Sequence, residues 1–67
     1  MAGKIPKDER VWMSYRSSDG EIRFVVTSKA SRETYFLYEA DGEGFKKLGK
    51  SPSPAELEER FEVMKKL

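Results

Sequence analysis

The chain has 67 residues, with 13 Lys and Arg against 12 Asp and Glu, which makes one small domain of net charge +1. A chain of this size buries only about 60% of its unfolded surface, and without cysteine it has no disulfide or thiolate–metal site to stiffen it. It also lacks histidine, the commonest metal ligand and the usual general base near neutral pH.

These absences set the first expectations. Ser14, Ser17 and Ser18 have no histidine to activate them. The acidic residues fall in turns or on a solvated helix face and do not follow the spacing of a calcium loop. We therefore expect no enzyme, no cofactor and no metal. No apolar run approaches the length of a membrane span. The opening segment MAGKIPKDER has no hydrophobic signal region. The expected location is cytoplasmic, with no membrane partner.

Residues 1–10 read as a flexible lead, rich in charge and carrying Gly3 and Pro6. Ile5 is the one sizeable apolar residue there besides Met1. The domain proper is expected over 11–67. Val11 to Arg16, VWMSYR, has the β-branched and aromatic content of a strand. Asp19-Gly20 then predicts a two-residue hairpin turn. That turn sets Arg16 opposite Arg23, Tyr15 opposite Phe24, Ser14 opposite Val25, Met13 opposite Val26 and Trp12 opposite Thr27. One face then carries Val11, Met13, Tyr15, Ile22, Phe24 and Val26, a core set. The other carries Trp12, Ser14, Arg16, Arg23, Val25 and Thr27.

Lys29 to Arg32, KASR, is a second turn. A four-residue loop puts Tyr35 and Leu37 on the core face, whereas three or five residues put Phe36 and Tyr38 there. A one-residue slip inverts the whole strand. The larger volume of Phe36 and Tyr38 favours placing them inside. Asp41 to Gly44 turns the chain again, and Phe45 to Leu48, FKKL, makes a short edge strand whose lysines discourage pairing with another chain.

Ser53-Pro54-Ala55-Glu56 has the capping-box pattern, with Pro54 at the first helical position. Leu57, Phe61 and Met64 recur at helical spacing, and Leu67 extends the stripe. The fold expected is α+β: an antiparallel three- to four-stranded meander with one C-terminal helix packed on one face. The expected core is Val11, Met13, Tyr15, Ile22, Phe24, Val26, Phe36, Tyr38, Leu57, Phe61 and Met64.

Gly44 to Ser51 matches the phosphate-loop pattern G-x-x-x-x-G-K-S. That chemistry needs a helix to begin at the Gly-Lys-Ser end, so that backbone N–H groups cradle phosphate. Pro52 and Pro54 follow at once and delay the helix, so the match is read as incidental.

One helix covers one face of a sheet. The other face then shows aromatic residues among arginines, the residue types enriched at binding hot spots. Its bland reading is a tolerated mixture, or a face covered by the lead and Ile5. The functional reading is a small non-enzymatic binding module that uses the face opposite the helix. Its expected contact residues are Trp12, Arg16, Arg23, Val25, Lys29, Arg32 and Tyr35. The near-neutral charge favours a protein partner or a homodimer. The alternative is nucleic acid, bound by the same face and the Lys29–Arg32 turn through base stacking and phosphate pairing.

Overall fold

A computed structural model describes residues 3–67. It is an α+β domain with a four-stranded antiparallel meander, order β1-β2-β3-β4, and one C-terminal helix. The strands are β1 Glu9–Arg16, β2 Ile22–Lys29, β3 Tyr35–Asp41 and β4 Gly44–Ser51, followed by α1 Pro54–Arg60 and a 3₁₀ turn at Val63–Lys66. β1 begins at Glu9 and not at Val11, so the end of the lead belongs to the sheet. β4 runs through Ser51, beyond the expected FKKL. The whole G-x-x-x-x-G-K-S match is thus an antiparallel strand paired to β3, with no loop to cradle phosphate.

The first hairpin keeps three of the expected pairs: Met13–Val26, Ser14–Val25 and Tyr15–Phe24. Its turn is wider than expected. The Ser17 carbonyl accepts the Gly20 N–H at 2.9 Å, and Gly20 has φ +88°, a left-handed position that suits glycine. This is the three-residue hairpin with a left-handed bulge residue, not the tight Asp-Gly turn. Arg16 pairs with Ile22, and Arg23 is left over as a bulge, so the two arginines are not opposed. A second irregularity falls at Trp12. Val11 lies opposite Thr27 and Met13 opposite Val26, leaving Trp12 unpaired between them.

β2 and β3 pair as Ser28–Tyr35, Val26–Leu37 and Val25–Tyr38. Leu37 therefore shares the helix face with Phe24 and Val26, and Phe36 and Tyr38 lie on the other. This corrects the choice made on side-chain volume. Both faces are dry here, so volume does not decide the register; the turn does. Arg32 donates its N–H to the Lys29 carbonyl at 2.9 Å and takes φ +55°.

The helix-face core is Tyr15, Phe24, Val26, Leu37, Leu57 and Val63, with Tyr35, Leu48, Phe61 and Leu67 packed around it. Phe61 lies directly over Gly49, where a built Cβ would sit 2.7 Å from Phe61 Cζ. α1 stops at Arg60 because Glu62 turns left-handed, φ +52°. That break moves the apolar stripe by one residue. Val63 is buried, and Met64, an expected core residue, is 61% exposed. Val11 and Met13 are likewise exposed and not core. Ser53 makes no side-chain cap. Its N–H donates to Ser51 Oγ at 3.2 Å, and Glu56 pairs instead with Arg60 one turn on.

The face opposite the helix is not open. Val25, Thr27, Phe36 and Tyr38 are all buried. Gly3 and Phe45 exchange two backbone hydrogen bonds, 3.1 and 2.7 Å, at the β4 side of the sheet. Glu9 then pairs with Lys29 at the β1 side. Between these points the lead must cross the sheet, and it crosses the face away from α1. Glu9 fixes the crossing: its buried Oε1 accepts hydrogen bonds from Thr27 Oγ1 at 2.6 Å and Tyr38 Oη at 2.7 Å. Lys47 Nζ lies 4.0 Å from Glu9 Oε2 and 4.6 Å from the centre of the Phe36 ring, closing the far part of that face.

Candidate functional site

The residues expected to bind divide into three groups in space. Val25 is 2% exposed beneath the lead, so it is removed from the binding set. Arg16 and Arg23 lie at the tip of the first hairpin. Arg16 Nη1 donates to the Gly20 carbonyl at 2.7 Å and braces its own turn. Asp19 in that turn accepts from the Ser17 hydroxyl and the Glu21 N–H. Those two bonds, helped by the nearby Arg23 charge, hold its carboxyl below the usual carboxylate range. Arg16 and Asp19 are thus engaged within the turn itself.

Trp12, Arg32 and Tyr35 do come together, about 13 Å along the strand from Arg16 at 3.3 Å per residue; Lys29 stands at the same end, but its ammonium lies toward the lead face, 6.0 Å from the centre of the Phe36 ring. The Trp12 bulge makes this possible. Strict alternation would place Trp12 with Thr27, on the face away from Tyr35. The extra residue turns it toward the helix face, where its ring meets Tyr35 edge-on at 5.7 Å and 66°. Trp12 stays 47% exposed. The Arg32 guanidinium lies over its ring at 5.4 Å. Lys29 Nζ pairs loosely with Asp8 at 3.6 Å, in the open.

A recess of about 350 Å³ opens beside this cluster, lined chiefly by Arg10, Val11, Trp12, Ser28, Lys29 and Arg32. Three cationic residues and one indole line it, none of the described lining residues is acidic, and Lys29 is the one whose ammonium also has a carboxylate, Asp8, near it. Arg10 was missed from sequence because it sat in a charged lead. Continuing the β1 alternation back past Val11 would have found it, since Arg10 pairs with Ser28. Val11 was assigned to the core and instead forms part of the recess wall.

Comparison with protein-family models, with curated proteins and with solved structures finds no match to this chain. No helix among the described residues is long and apolar enough to cross a membrane.

The first and second turns differ at their left-handed residue. The first two turns share one hydrogen-bond pattern, Ser17 to Gly20 and Lys29 to Arg32, each with a left-handed fourth residue. The first uses glycine. The second holds an arginine there, at a cost of about 1–2 kcal/mol for a left-handed L-residue. The contact of Arg32 with Trp12 returns about 0.5–1 kcal/mol at an exposed site. On these magnitudes the contact does not offset the backbone cost, and Arg32 shares this conformation with one other non-glycine residue among the described residues, Glu62.

Proposed function

We propose that the protein is a small non-enzymatic binding module whose working surface is the recess beside Trp12, and that its ligand is anionic. The surface differs from the sheet face first considered, because that face is filled by the lead. The observation that carries the proposal is Arg32, held left-handed over a half-exposed tryptophan beside Arg10 and Lys29. Clustered cations attract an anion by Coulomb steering and charge-assisted hydrogen bonds. The aromatic platform adds contact area at low entropic cost. The charge balance of the whole chain is near neutral, but its local distribution here is not.

Arg32→Gly tests this. Glycine is at ease at φ +55°, so the variant is expected to unfold at the same denaturant concentration as the parent or higher. Its affinity for the anionic probes decathymidylate and decaglutamate, at low ionic strength, is expected to fall about tenfold or more. A less stable variant with unchanged affinity for both would show that Arg32 serves only to hold Trp12.

A further inference from the structure

We infer that the anion taken by this recess is single-stranded nucleic acid, with one base stacked on the Trp12–Arg32 pair and neighbouring phosphates on Arg10 and Lys29. The inference rests on the anion-binding reading above and narrows it. Its starting point is the combination of groups. Carboxylates and phosphates would both pair with three cations, but only a ligand with a flat ring also uses the exposed indole. Indole and guanidinium both offer a planar face on which bases stack. The recess, about 350 Å³, lies at the small end of ligand-pocket sizes. It suits a single nucleotide of a strand and is too small for a helix or a hairpin of a partner.

An acidic peptide fits less well. Its anchor would need an apolar pocket, and the apolar wall here is little more than Val11 and the edge of Trp12. Duplex is disfavoured by the fold. α1 has seven residues and carries Glu56, Glu58 and Glu59, so it would repel phosphate on entering a groove. The recess stands at one end of the sheet, where the start of β1 meets the β2–β3 turn. A strand can pass this end without the protein entering a groove. Two or three phosphates neutralised there give a modest salt dependence, with a log–log slope of about −1.4 to −2 for a single strand.

The test uses the full chain and fluorescence anisotropy at low salt with labelled probes of equal length. These are decathymidylate, the same backbone without bases, a ten-base-pair duplex and decaglutamate. Decathymidylate is expected to bind most tightly, and the abasic strand about five- to a hundredfold more weakly, as one stacked base allows. Trp12→Phe keeps a ring and should stay close to the parent, whereas Trp12→Ala should lose the preference for bases. Equal binding of abasic and normal strands overturns the inference and leaves the anion site standing. So does tighter binding of decaglutamate, which makes the partner an acidic protein, or of the duplex. No binding of any probe overturns both readings.

Discussion

Gly49 and Phe61 illustrate how single atoms fix the helix on the sheet. The ring lies where a side chain on residue 49 would begin, with Cζ 2.7 Å from a built Cβ. Gly49→Ala forces the ring to move, and we expect a loss of about 1–3 kcal/mol in urea unfolding, as for other overpacked sites. Phe61→Leu should relieve part of that loss in the double variant; purely additive losses would show that the two sites do not share the space. Tyr15 offers a second residue-scale test. Burial, then its hydrogen bond to Glu58 at 3.0 Å and the charge of that carboxylate, push its pKa up from 10.0 to about 12. The phenol, not the phenolate, is the form the fold favours. Its stabilising contribution is complete below pH 10 and is lost as pH rises toward about 12. Tyr38 is pushed higher still by burial and Glu9. Phenolate absorbance should therefore show a Tyr15 step near pH 12, absent from Tyr15→Phe, together with weakening stability over that window. A Tyr15 step at pH 10 would contradict the burial of Tyr15 and its contact with Glu58.

At the scale of elements, the lead is the part that most changes the surface of the protein. It joins the β4 and β1 sides of the sheet and is pinned by Glu9. Glu9→Ala leaves the Thr27 and Tyr38 hydroxyls without their acceptor in a buried site, at about 1–3 kcal/mol for each unsatisfied group. Glu9→Gln keeps a carbonyl oxygen there and should cost less. Denaturant midpoints rank the two. A Glu9→Ala protein as stable as its parent would mean that the lead is not held by this residue. A glutamate in a run of charged residues looks solvated in sequence, so its role as a buried acceptor was not legible there. What was legible was the central hairpin, because the Asp-Gly signal placed the turn to within a residue. The Arg23 bulge then compensated for the wider turn and restored the Tyr15–Phe24 pairing. The Trp12 bulge left no mark, since no glycine or proline stands there, and it moved the key aromatic to the other face. The helix end failed for a like reason. Glu62 is left-handed without being glycine, so the 3.6-residue period was carried one turn too far, and Met64 was placed where Val63 belongs.

For the whole molecule, the outcome is a sheet closed on both faces: α1 and the 3₁₀ turn cover one, and the lead with the Lys47 side chain covers the other. A domain this small gains from burying both faces, because a single face gives it too little apolar area. With both faces covered, the ends of the sheet are where we propose recognition. Of those, the hairpin tip has Arg16 and Asp19 engaged within its own turn, and the Trp12 end has an open recess lined by Arg10, Lys29 and Arg32. Amide shifts of the labelled chain, titrated with decathymidylate at low salt, test this most directly. The account predicts shifts concentrated at Arg10, Trp12, Lys29 and Arg32, including the Trp12 indole N–H, that fade as salt is raised. Shifts centred on Arg16 and Arg23, or none at the Trp12 end at low salt, would contradict it.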